Sequence, residues 1–208
     1  MIELEGTNEE RGFQHGSVLK DRVNATWTWY NAFFTGLSED TLTEDRLREF
    51  GDHFAKEIYN FDPQYCNEIE AIAKGSGLEA WKIYCINSRT EIMYTLKREV
   101  ARKRRVAMTP ATEMEQEELP SECTSVYNAK FAVLAQNWDW CSDLEKLIVR
   151  TKVTREDGHT YISLHEPGML GKIGVSSAGV GCLLNAMDCG EYLEETGLPM
   201  LDGKMEAS

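Results

Sequence analysis

Cys123 opens the triplet Cys-Thr-Ser, and one short apolar run later the chain reads "QNWDW", which sets Asp139 between Trp138 and Trp140. A thiol within a chain is a weak nucleophile until a base removes its proton, and histidine is the usual base. The four histidines, at 15, 53, 159 and 165, carry no cysteine-peptidase signature around them. A histidine-based peptidase would have to draw on His159 or His165, and its activity would survive blocking of an α-amine. A second arrangement needs no histidine. If the peptide bond between Glu122 and Cys123 is cut, the new α-amino group of Cys123 is itself the base, with a reference pKa of about 8. That amine needs an acceptor to orient it. Asp139, ending the strand after the first turn, can lie back beside Cys123. The plainer readings are that Asp139 is a strand cap or surface carboxylate, and that Trp138 and Trp140 are packing residues.

Helices come first among the elements that must position this pair. Leu19, Val23, Trp27, Tyr30 and Phe34 form one apolar stripe at helical spacing, and Leu47, Phe50, Phe54 and Ile58 form another. Asp62 as N-cap and Pro63 at the first helical position open a third helix, with Tyr65, Ile69 and Ile72 inward and a stop at Lys74-Gly75. A fourth is expected from about Leu78 to Tyr94. The run 97–122, basic and then acidic around Pro110, reads as a solvated linker because blocks of like charge seldom pack. Beyond Cys123 the period changes to that of strands. Two are expected in "SVYNAKFAVLAQNWDW", two more flank the hairpin signal Asp157-Gly158, and "GKIGVSSAGVGCLLNAM" adds two broken by glycines. Helices followed by antiparallel strands make an α+β chain.

Bulk composition excludes several classes. The 208 residues are 42% hydrophobic and 27% charged, an ordinary globular balance. A net charge of −13 argues against nucleic acid and anionic membranes, whose phosphates such a surface repels. No basic-then-apolar leader opens the chain, no apolar run has membrane length, and the C-terminal Glu-Ala-Ser is not a peroxisomal address, so a cytoplasmic location is expected. The six cysteines, without paired spacing, read as free thiols, mostly small buried hydrophobes.

"ECTS" with "QNWDW", together with "RGFQHG" near the start and "INSRTE" before the linker, resembles the acyl-coenzyme A:6-aminopenicillanic acid acyltransferase family, peptidase family C45 of the N-terminal nucleophile (Ntn) hydrolases. The likeness runs in order from about Glu5 to Pro199. It implies an αββα sandwich and a zymogen that cuts itself before Cys123. On this division 1–96 is the helical α-chain region, 97–122 the linker with the cleavage site, 123–199 the first part of the β-chain sheet and 200–208 a divergent tail. The resemblance makes Cys123 the nucleophile, Asp139 the carboxylate that fixes the α-amine, and Asn185 an oxyanion-hole donor, where the plain alternative is a strand-end turn residue. It implies no cofactor or metal, and a small-molecule amide or acyl-CoA substrate. Two departures stand out. Glu122 occupies the position of a glycine in the penicillin enzyme, and its Cβ and charge oppose the strained backbone that an N-to-S acyl shift needs. After "TGLPM" the pattern ends, which implies a C-terminally truncated, incomplete sandwich and a poor catalyst. The competing expectation is a non-catalytic protein whose unfinished sheet offers an edge for self-association or another partner.

Overall fold

The computed structural model describes residues 1–107 and 123–185. The expected scissile bond at Glu122, the linker from 108 onward, Cys189 and the acidic tail lie outside the described residues. A strand, β1 (Ile2–Gly6), is followed by helices α1 (Asn8–Val18), α2 (Lys20–Leu37), α3 (Glu44–Phe61), α4 (Pro63–Ser76), α5 (Ala80–Asn87) and α6 (Arg89–Ala107). A hairpin, β2 (Thr124–Asn128) and β3 (Val133–Asn137), precedes a 3-10 helix at Ser142–Leu147. Strands β4 (Val149–Arg155), β5 (Thr160–His165), β6 (Ile173–Ser176) and β7 (Gly181–Cys182) complete the order.

The helices start where the chain supplies acceptors for their orphan amides. Thr7 and Glu10 cap α1 reciprocally, the Glu10 amide donating to Thr7 Oγ1 at 3.1 Å and the Thr7 amide to Glu10 Oε2 at 2.9 Å. Thr43 accepts from the Arg46 amide at α3, and Asp62 accepts from the Gln64 amide ahead of Pro63 at α4. Gly77, at φ +77°, closes α4 in the left-handed conformation that a glycine takes without steric cost. The apolar stripes then meet in one core, with Val23, Tyr30 and Phe34 of α2, Phe54 and Ile58 of α3 and Ile69 and Ile72 of α4 almost wholly buried. Helix α1 lies against α4 so closely that a Cβ on Gly12 would fall on the Glu68 carbonyl oxygen, and one on Gly16 on that of Ile72. Across this contact the buried Arg11 guanidinium meets Glu68 at 2.7 Å and donates to the Gly6 carbonyl at 2.7 Å.

The main sheet has the order β1-β4-β5-β6-β7. Its inward face carries Val149, Thr151, Val153, Tyr161, Ser163 and His165, all buried, Val149 within the helical core and Val153 and Tyr161 in a smaller cluster with Leu4, while Arg150, Ile162 and Val175 on the other face are exposed. The chain is thus α+β, helices followed by a mixed sheet. Strands β2 and β3 form a separate two-stranded ribbon.

Three expectations change. The opening segment, placed in the helical region 1–96, is a strand paired in parallel with β4, so the strands are not all antiparallel. Its two apolar residues alternate with acids, and Leu4 packs on Val153 and Tyr161. The helix expected from Leu78 to Tyr94 is broken at buried Ser88 into α5 and α6. The linker expected from residue 97 is helical through Ala107. Its basic residues are good helix formers, Leu96 and Val100 bury on its inner side, and the charges pair outward, Arg46 with Glu99 at 3.1 Å and Arg104 with Glu39 at 2.8 Å.

Candidate active site

The β2–β3 ribbon sets the geometry. Its turn is held by Asn128, whose Oδ1 accepts from the Lys130 and Phe131 amides at 3.1 and 3.3 Å, and by Ala132 at φ +48°. The register this fixes places Thr124 opposite Asn137 and Ser125 opposite Gln136. Cys123, one residue before β2, therefore returns beside the segment that leaves β3. Its half-buried sulfur lies 3.7 Å from the backbone carbonyl oxygen of Asp139. The Asp139 carboxylate is exposed and accepts from Asn137 Nδ2 at 3.0 Å.

Asn185 reaches the same place from the far side of the chain. It donates through Nδ2 to Ser125 Oγ at 2.7 Å and accepts from Gln136 Nε2 at 2.9 Å. Gln136 also donates to the Leu184 carbonyl, and its Oε1 accepts from the Leu184 amide at 3.3 Å. One side-chain amide thus pairs with both backbone groups of Leu184, as a neighbouring strand would. Gln136 lies within the "QNWDW" motif, which by itself assigns it no role. Its position directly opposite Ser125 in the hairpin was the available signal.

Neither of the histidines considered as a base lies on the sulfur. His165 is buried, with Nε2 at 3.1 Å from Thr151 Oγ1 and Nδ1 at 2.9 Å from the Glu166 carbonyl. Its ring packs 5.5 Å from that of His15, whose Nε2 accepts from the Gly168 amide. Burial holds both imidazoles below their ordinary pKa, that of His15 at about 3. The His159 amide donates to Asp157 Oδ1 in the β4–β5 turn.

Behind the hairpin lies a charged cluster that no sequence pattern announced. Glu166, fully buried, accepts from Tyr30 Oη at 3.0 Å and stands 3.7 Å from Arg89 Nε and 3.6 Å from Lys172 Nζ. Burial pushes its carboxyl pKa up, but the charges of Arg89 and Lys172 outweigh this and hold it below the usual carboxylate value. Burial raises the Tyr30 phenol well above its ordinary value, and the Glu166 charge adds to the shift. Lys172 Nζ also sits over the Trp138 ring at 3.8 Å and near that of Trp140 at 5.8 Å.

The five cysteines among the described residues are free thiols. Those residues gather no group of three or more His, Cys, Asp or Glu side chains that could hold a metal ion, and none of their helices is long and apolar enough to cross a membrane. At its base the hairpin carries the Cys123 thiol beside the Asp139 backbone carbonyl, the Asp139 carboxylate on Asn137, and the Asn185 carboxamide on the facing pair Ser125 and Gln136.

No family model matches the chain. It is 29% identical over 202 residues to the acyl-coenzyme A:6-aminopenicillanic-acid-acyltransferase 40 kDa form of Emericella nidulans, a match covering 95% of this chain and 50% of that protein. The chain therefore spans about half the length of that curated relative. That similarity, along nearly all of the present sequence, makes the chain a distant relative of an acyltransferase.

Proposed function

We propose that this chain belongs to an acyltransferase or amidohydrolase of the Ntn type, in which Cys123 is the nucleophile for both self-cleavage and acyl transfer. In the first reaction the Cys123 sulfur attacks the Glu122 carbonyl carbon. The C–N bond breaks, the nitrogen takes the proton given up by the thiol and leaves as the Cys123 α-amine, and water hydrolyses the resulting thioester to free the Glu122 carboxylate and the thiol. In the second, the α-amine takes the thiol proton, and the sulfur attacks the carbonyl of an acyl-CoA thioester or a small N-acyl amide. The leaving thiol or amine takes that proton, and an acceptor amine or water removes the acyl group from sulfur. Asp139 would orient the α-amine. Asn185 would turn its amide N–H from Ser125 toward the oxyanion.

The observation that carries this reading is the approach of Cys123 to Asp139 across the hairpin base, with Asn185 bonded to the facing pair Ser125 and Gln136. The relative's acyltransferase name supports the same chemistry. The test is to incubate the protein with butyryl-coenzyme A, quench in acid and map adducts by peptide mass spectrometry. A butyryl group on Cys123, absent from Cys123→Ser, is expected. Butyrylation confined to other residues would overturn the assignment. The exposed side chains of Val126, Tyr127 and Phe131 on the ribbon favour a second reading, a protein that binds a partner without turnover. It predicts no adduct on Cys123.

A further inference from the structure

The ribbon that presents Cys123 is nearly all exposed, and a two-stranded ribbon alone is marginally stable in water. Something must hold its base to the body of the protein. On one side Gln136 and Asn185 join it to the segment after β7. On the other the contacts run through the tryptophans flanking Asp139. Lys172, 6% exposed, places Nζ 3.8 Å over the Trp138 ring and 5.8 Å from that of Trp140. A cation so far withdrawn from water is drawn to an aromatic face more strongly than one at the surface.

The other side of the ammonium is anchored. Glu166 Oε1 lies 3.6 Å from Lys172 Nζ, and the same oxygen takes the Tyr30 hydroxyl at 3.0 Å and faces Arg89 Nε at 3.7 Å. Tyr30 stands on α2 and Arg89 opens α6, so one carboxylate oxygen fixes the lysine to two helices. Trp140 meets α2 independently, edge-on to Phe33 at 6.4 Å between centroids. Moving the Trp138–Trp140 segment would mean giving up both ring contacts.

We propose that Lys172 is a positioning residue for Asp139, clamping the flanking tryptophans onto buried Glu166 and so fixing the backbone that faces the Cys123 sulfur. This inference rests on the reading of Cys123 and Asp139 as the reacting pair. Arginine keeps the charge and stacks on aromatic faces, whereas methionine keeps the length and loses both.

The test compares wild type, Lys172→Met, Lys172→Arg and Trp138→Leu by hydrogen exchange of peptides covering 133–141 and by thiol release from butyryl-coenzyme A. Trp138→Leu opens the clamp from the ring side without touching the buried carboxylate, and so serves even where Lys172→Met fails to fold. In Lys172→Met and Trp138→Leu, exchange over 133–141 rises about tenfold or more while peptides of α3 and α4 stay unchanged. In the same variants kcat falls about tenfold with KM within about twofold, and Lys172→Arg restores most of both. Wild-type exchange in both opened variants overturns the clamp, as does an undiminished kcat in a protein whose Cys123→Ala form is inactive. Should Cys123→Ala match wild type in thiol release, the nucleophile reading falls and exchange alone decides the clamp.

Discussion

The Cys123 sulfur lies 3.7 Å from the Asp139 backbone carbonyl oxygen, a contact set by the pairing of Thr124 with Asn137. That approach depends on the hairpin register. A slip of one residue would send Ser125 and Gln136 to opposite faces and carry Asp139 away from the sulfur. The Asp139 carboxylate meets Asn137 and not the thiol. On the proposed reading, its partner would be the α-amine of a cleaved Cys123.

Asn185 gives the first expectation. An oxyanion donor acts in the transition state, so Asn185→Ala should lower kcat for acyl transfer by about a hundredfold or more, equivalent to roughly 3 kcal/mol, while KM moves little. Steady-state kinetics on butyryl-coenzyme A check this. A purely structural Asn185, tying Ser125 to Gln136, would instead change the thermal midpoint and leave kcat per folded molecule intact.

Arg11 tests the join between β1, α1 and α4. Its guanidinium is 2% exposed and bonded to Glu68 at 2.7 Å. Arg11→Met removes the guanidinium facing a buried carboxylate and should cost about 3 to 5 kcal/mol, much of it recovered by the double change Arg11→Met, Glu68→Leu. Urea unfolding of the four forms measures the coupling. Additive losses would contradict it.

His15 makes stability fall in acid. Its folded pKa, about 3 through burial, is below the ordinary value near 6.5, so the unfolded chain takes the proton first. The contribution is complete above about pH 6.5 and is lost as pH falls toward 3, on the order of 3 kcal/mol by pH 4. His15→Gln keeps an acceptor for the Gly168 amide but does not titrate. Its unfolding free energy should fall less between pH 7 and pH 4 than that of wild type. An equal fall in both would show that His15 is not the titrating group.

The helical stripes were legible because burial repeats at the helical period, and Tyr30, Phe34, Phe54 and Ile58 all lie inside. Asp62-Pro63 and Asp157-Gly158 were legible because each marks its boundary by local chemistry. Strand β1 was not, since Ile2 and Leu4 offer a short alternation whose partner, β4, lies about 150 residues on, beyond helices α1 to α6. The helical start of the linker was hidden by its charge, which suits an outward helix face as well as a loop. Within the site, the motifs pointed to Cys123, Asp139 and Asn185. The convergence of Arg89, Lys172 and Tyr30 on Glu166 is a tertiary fact, and each of those residues alone reads as an ordinary polar or charged position.

Everything proposed here for the chemistry depends on Cys123 gaining a free α-amine. Intact-mass spectrometry of purified wild-type and Cys123→Ala protein measures this directly. Two fragments from the wild type, the second beginning at Cys123, and one uncut chain from Cys123→Ala are predicted. A wild-type chain that stays whole while remaining folded, or a Cys123→Ala chain that is cut as readily, would contradict the account.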